Sequence, residues 1–151
     1  MTVDPSPAHE DDGFAVSGVG CVSWRGSGIL VQGPPASGKS DLVLRVIGEG
    51  GVLVADDVVW LQRRQSGLFA RHLREPGLIE LRGQGIFRLP CLDESRIDIV
   101  IRLVASVKQE RLPDVSTVWI AGIELPAFDL DGLAPSAIAR IATILDHPRV
   151  A

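Results

Sequence analysis

The sequence predicts one α/β domain, a mixed sheet with few helices built around a phosphate-binding loop. Three observations predict it. Gly33-Pro34-Pro35-Ala36-Ser37-Gly38-Lys39-Ser40 fits the pattern G-x-x-x-x-G-K-[ST] at every position. Short apolar runs bounded by glycine recur along the chain, with only two stretches of helical period. And 151 residues, 46% of them apolar, suit a single core, because a chain of this size buries roughly 70% of its unfolded surface.

The elements follow in order. Residues 1–13 are polar and acidic, carry Pro5 and Pro7, and are expected to be a disordered tail; the domain proper is expected over 14–151. Residues 28–32 read as a buried strand entering the phosphate loop, and 40–47 as a helix closed by Gly48-Glu49-Gly50-Gly51. Residues 52–55 make a second apolar strand, and 58–61 continue past two aspartates. A turn at 63–67 precedes a strand at 68–73. Ile97, Ile99, Ile101 and Leu103 alternate with Asp98, Val100 and Arg102, which predicts a strand with one face well buried. Residues 115–120 are a further strand. Pro135 suits a first helical turn, Ile138, Ile141, Ala142 and Leu145 recur at helical spacing, and His147-Pro148 ends that helix. No repeat or second domain is visible. Trp24, Trp60, Trp119 and Phe128 are assigned to the core.

Charge and composition exclude several classes. The net charge is −4, from 15 basic and 19 acidic residues. Asp4, Glu10, Asp11 and Asp12 lie in the tail, so the remainder is balanced and offers no broad nucleic-acid surface. Cys21 and Cys91 make at most one bridge, which points to a reducing cytoplasm. No apolar run approaches the ~20 residues of a membrane helix, and the start of the chain lacks the order of a signal peptide.

The loop is the firmest chemical signal. A strand running into a helix through glycines turns successive N–H groups inward, and the helix dipole adds positive potential there. Gly38 permits close approach, Lys39 places a charge on the outer phosphates, and the Ser40 hydroxyl suits Mg2+. Pro34 and Pro35 each remove one N–H and stiffen the loop.

Two further features follow. Val52-Leu53-Val54-Ala55-Asp56-Asp57 ends an apolar strand in two carboxylates, Asp57 standing 18 residues after Lys39. An acid there can hold the metal beside the phosphates, and its neighbour, facing the other way, can accept a proton from an attacking hydroxyl. Asp pairs also serve turns and caps. In Leu78-Ile79-Glu80-Leu81-Arg82-Gly83-Gln84-Gly85-Ile86, period two puts Glu80 and Arg82 on one strand face. That pair can complete a metal and phosphoryl site or be a solvent-facing ion pair.

These three pieces, in this order and spacing, resemble the catalytic domain of bacterial HPr kinase/phosphorylase, over about residues 14–146. The combination of P-loop, Ala-Asp-Asp and L-E-[IL]-R-G-x-G-I carries the resemblance. It implies a P-loop core similar to that of phosphoenolpyruvate carboxykinase, in a short form made of the catalytic domain alone. It further implies an ATP- and Mg2+-dependent kinase acting on a serine of an HPr-like phosphocarrier protein, able in the family to run in reverse with inorganic phosphate. On this resemblance the loop and Lys39 hold the triphosphate, and Ser40 and Glu80, with Asp56, bind magnesium. Asp57 is general base for phosphorylation and general acid for the reverse step, Arg82 lies in the segment the family uses for both reactions, and Arg111 matches a further family arginine more loosely. A homo-oligomer, hexameric in the family, is implied as well.

Three departures accompany the resemblance. Gly18 stands where the family usually has a histidine; His9, His72 and His147 are assigned to surface or loops. Pro35-Ala36 replaces the usual Ser-Gly. Residues 126–132 replace a basic Pro-x-x-x-Gly-Arg stretch, which leads us to expect a kinase with weak or absent phosphorylase activity. The competing readings are a nucleotide-sensing module without transferase activity and a small-molecule kinase on the same loop.

Overall fold

The computed structural model describes residues 13–151; the acidic tail and His9 lie outside the described residues. Among the described residues, twelve strands and two α-helices form three layers. The strands are β1 (Gly13–Ser17), β2 (Gly20–Trp24), β3 (Ser27–Gln32), β4 (Val52–Ala55), β5 (Val58–Arg64), β6 (Gly67–His72), β7 (Leu78–Leu81), β8 (Gly85–Arg88), β9 (Glu94–Arg96), β10 (Ile99–Leu103), β11 (Ser116–Ile120) and β12 (Ile123–Leu130). The helices are α1 (Lys39–Gly48) and α2 (Ala137–Asp146).

The central layer is a six-stranded mixed sheet in the order β11-β12-β10-β3-β2-β4. Strands β3, β10 and β12 run parallel, and the others pair antiparallel. The second layer is an antiparallel sheet, β1-β5-β6-β9, with β7 and β8 forming a separate hairpin. The third layer is the helices, which face the central sheet.

Side-chain alternation explains the layering. On β3, Ile29 and Val31 join the cluster containing Leu42, Val43 and Val46 of α1 and Ile141 of α2. Leu30, between them, points the other way into a cluster with Cys21, Val54, Val59, Leu61, Leu68 and Val100. A central strand clothed on both faces therefore reads as a continuous apolar run. Among the described residues, no polar or charged side chain is fully buried.

Several expectations need correction. The strand expected from Ile97 begins at Ile99. Ile97 is buried in the cluster between the sheets, its N–H bonds the Leu68 carbonyl, and the Asp98 N–H bonds that of Gly28. The chain changes sheets at Asp98, and Val100 as well as Ile101 is fully buried, so both faces are covered. Strand β12 went unread because Pro126 interrupts its pattern. The proline is tolerated because β10 pairs with β12 only from Ala127 onward. Strands β1 and β2 also went unread, and Gly13, placed in the tail, already pairs with Gln62. Trp119 is 57% exposed, on the outward face of edge strand β11, whereas Trp24 is buried and donates Nε1–H to the Glu49 carbonyl at 3.2 Å. Both cysteines are free. Among the described residues, no helix is long and apolar enough to cross a membrane.

Gly28 shows how closely the layers approach: a Cβ there would stand 1.8 Å from the Arg96 carbonyl oxygen. Backbone cannot yield as a side chain does. Gly28→Ala is expected to cost about 1–3 kcal/mol or more, read as a lower urea midpoint with an unchanged slope; an unaltered midpoint contradicts the packing described.

Candidate phosphate and carboxylate site

Strand β3 delivers the chain to the loop at Gly33, and α1 takes it away at Lys39. Two residues of the loop adopt positive φ, Ala36 at 62° and Gly38 at 91°. The Ser37 N–H closes a turn onto the Pro34 carbonyl at 3.2 Å. Gly33 is required for space rather than for φ: a Cβ there would lie 2.5 Å from Ser37 Oγ. The first helical bond runs from the Leu42 N–H to the Gly38 carbonyl at 2.9 Å. The amides before it, at Lys39, Ser40 and Asp41, have no helical acceptor. The Lys39 ammonium folds back over the loop and donates to the carbonyls of Gly33 (2.7 Å) and Pro34 (3.0 Å). Ser37 Oγ is shielded and without a partner.

The carboxylates sit where the chain crosses between sheets. Strand β4 belongs to the central sheet and β5 to the second one, and Asp56-Asp57 is the corner joining them. The Val58 N–H returns to the Asp56 carbonyl at 2.8 Å, and Asp57 is forced to a φ of 67°. A non-glycine residue there is strained by about 1 kcal/mol or more. The strain is held by the segment between β1 and β2: the Gly18 N–H donates to the Asp57 carbonyl at 2.7 Å. The Asp56 side chain turns toward the loop, and Ser40 Oγ donates to its Oδ1 at 3.0 Å. Asp57 is exposed.

Asp56, Asp57 and Glu80 line one cavity of about 200 Å³, together with His72, Arg74, Glu75 and Ile86. Burial raises the Asp56 carboxyl above the ordinary carboxylate range; the Ser40 hydroxyl opposes this, and the charges of Asp57 and Glu80 add to it. Among the described residues, no three metal-ligating side chains are close enough to hold an ion unaided.

The structure thus brings together the loop residues Gly33 to Ser40, Asp56, Asp57 and Glu80. Arg82 departs from the expected shared face with Glu80. Strand β7 stops at Leu81, and Arg82 opens the hairpin turn, where Gly83 has a φ of 92°; no ion pair joins the two among the described residues. Arg111 lines a different cavity, with Arg102, Asp129 and Arg140. His72, assigned to the surface, closes β6 opposite Val59 and faces the acidic cavity, its Nε2 shielded without a partner. The β5–β6 hairpin puts it opposite Val59, while Glu75 and Glu80 reach the same cavity from the segment after β6 and from β7. His147 is the exposed residue after α2.

With this geometry in place, comparison with known proteins is informative. The family model described as HPr Serine kinase C-terminal domain matches residues 13–131. An HPr kinase/phosphorylase from Bordetella pertussis is 34% identical over 100 residues, 58% of this chain and 32% of its own length. One from Mycoplasma mycoides subsp. mycoides SC is 29% identical over 130 residues, 77% of this chain and 42% of its own. The chain therefore spans well under half the length of these curated relatives. The solved Hpr(Ser) kinase/phosphatase from Coxiella burnetii superimposes with a TM-score of 0.77 at 24% identity, covering 87% of this chain and 93% of that one. It shares the mixed α/β fold.

The raised Asp56 pKa has a testable sign. Ionised Asp56 opposes folding at neutral pH, because the folded state holds its proton more tightly than the unfolded one. Asp56→Asn keeps an acceptor for Ser40 and removes the charge. In chelator-treated buffer the variant should melt higher than the parent above the raised pKa. The gain should shrink as pH falls through that pKa and vanish below the ordinary carboxylate range. A difference independent of pH contradicts this account.

Proposed function

The chain belongs to the HPr serine kinase C-terminal domain family, and from that membership and its own geometry we propose that it is a cytoplasmic protein kinase. It uses ATP and Mg2+ to phosphorylate a serine hydroxyl of an HPr-like phosphocarrier protein. The observation that carries the reading is the Ser40–Asp56 hydrogen bond, which couples a phosphate-loop helix to a corner whose second carboxylate, Asp57, is free.

The residues present fit both groups. The Lys39 ammonium rests on two loop carbonyls and can exchange them for phosphate oxygens without leaving the loop. Main-chain N–H groups at Gly38, Lys39 and Ser40 point positive potential at the same place. Asp56, raised by burial and by its acidic neighbours, is a carboxyl that a cation would relieve. Ser40, Asp56 and Glu80 would hold magnesium, which supplies neutralisation of charge on the phosphates when bound.

A serine hydroxyl is a weak nucleophile and needs a base in reach as it attacks. Asp57 has its main chain locked by Gly18 and Val58 while its side chain stays free and exposed, so it is the residue to accept that proton. Arg82, in the turn two residues beyond Glu80, is the candidate for charge on the transferred phosphoryl group. Arg111 stands outside this mechanism. Residues 126–130 belong to β12, and Asp129 there pairs with Arg102 at 2.7 Å. Residues 126–132 carry no basic side chain that could bind inorganic phosphate, which supports weak or absent phosphorylase activity.

Labelled ATP with a purified HPr-like carrier tests the reading. The parent protein should transfer label to an acid-stable serine phosphate. Asp57→Asn should lower the rate by about 10²–10⁴-fold while leaving nucleotide affinity unchanged, and Lys39→Ala should lose both. Binding of ATP with no transfer to the carrier or to small metabolites would instead establish a nucleotide sensor.

A further inference from the structure

The segment between β12 and α2 places an apolar side chain at the mouth of the phosphate loop, and neither the family match nor the proposed chemistry gives it work. Leu133 is 72% exposed, yet its position is heavily constrained. The Ala134 N–H closes a turn onto the Asp131 carbonyl at 3.1 Å. The Asp131 carboxylate accepts from the Leu133 N–H at 2.9 Å and from Ser106 Oγ at 2.5 Å. The Arg45 guanidinium, on α1, donates to the carbonyls of Gly132 (2.8 Å) and Ala134 (3.4 Å). The helix that begins at the phosphate loop therefore also grips the turn carrying Leu133. Leu133 Cδ2 lies 3.3 Å from where a Cβ of Gly38 would stand, so the leucine borders the residue that heads α1. A single exposed leucine is ordinary; this one stands on a turn whose main chain Arg45 and Asp131 hold beside the phosphate loop.

The topology says which end of a bound triphosphate this leucine meets. In the sheet order β11-β12-β10-β3-β2-β4, the loop leaves β3, and Asp56 and Asp57 leave β4, two strands to one side. Leu133 follows β12, two strands to the other side. If the terminal phosphoryl group lies at Asp57, the chain of phosphates runs across the head of α1 and its organic end emerges toward the loops after β10 and β12.

We propose that Leu133 is a nucleoside-binding residue, an apolar shelf against which the base or ribose of the nucleotide packs while the phosphates occupy the loop. The proposal rests on the kinase reading and extends it, since it separates recognition of the nucleoside from recognition of the polyphosphate. A rigid shelf needs no ordering when the ligand arrives, so its apolar contact is not offset by lost loop freedom.

Two ligands divide the question: magnesium-ATP, and magnesium-tripolyphosphate, which has the phosphates without the nucleoside. Calorimetry on the parent chain should find ATP the tighter ligand. Leu133→Ser should weaken ATP about tenfold, the scale of losing roughly 50 Å² of apolar burial, and leave tripolyphosphate unchanged. Leu133→Met should bind ATP as the parent does. An unchanged ATP affinity in Leu133→Ser overturns the proposal. So does an equal loss for both ligands, which would mean that Leu133 only shapes the loop. Equal affinity of the parent for the two ligands also overturns it, while phosphate transfer from ATP would leave the kinase reading standing. A parent that binds neither ligand removes both.

Discussion

One hydrogen bond, Ser40 Oγ to Asp56 Oδ1, ties together parts of the molecule that the sheet order holds apart. Ser40 stands in the first turn of α1 and so moves with the phosphate loop. Asp56 is at the corner where the chain passes from the central sheet to the second one. Through this contact the helix that bears positive potential at its start is set against a corner bearing two acids, with a third, Glu80, contributed by the β7–β8 hairpin. Burial raises the Asp56 carboxyl above the ordinary carboxylate range, and the nearby charges of Asp57 and Glu80 add to the shift.

The backbone around this contact is correspondingly constrained. Asp57 holds a left-handed φ that a glycine would adopt freely, and it does so because Gly18 and Val58 each fix part of its peptide. Strain of this kind orients a side chain. Asp56 accepts from Ser40 of the loop helix, while Asp57, at the tip of the turn, is exposed. On the other side of the loop, Arg45 and Asp131 perform a similar office for the turn after β12. The phosphate loop is thus held between two rigid corners, one acidic and one apolar.

Much of this was legible in sequence wherever the signal was local. The loop, the strand before it, α1, β4 and α2 each announce themselves by glycine spacing, an apolar run or a 3.6-residue period, and they form close to where the pattern puts them. What escaped depends on contacts distant in sequence. Strand β12 carries a proline that argues against a central position, and only its staggered pairing with β10 makes room for it. Period two carried Arg82 one residue past the true end of β7, although the glycines after it already marked the turn. His72 lies at the end of the β5–β6 hairpin opposite Val59, and its place at the acidic cavity depends on Asp56, Asp57 and Glu80 arriving from other elements. Trp119 looked like core by residue type, but an edge strand has an outer face.

The account depends on polyphosphate and the acidic corner being read by one site, so the direct test is residue-resolved. Amide NMR of the labelled protein during titration with magnesium and a non-hydrolysable ATP analogue should move Gly38, Lys39, Ser40, Asp56 and Asp57 together, along one saturating curve. The shifts at Asp56 and Asp57 should shrink when magnesium is withheld. Shifts confined to other surfaces, or a loop that responds while the Asp56-Asp57 corner stays still with magnesium present, would contradict it.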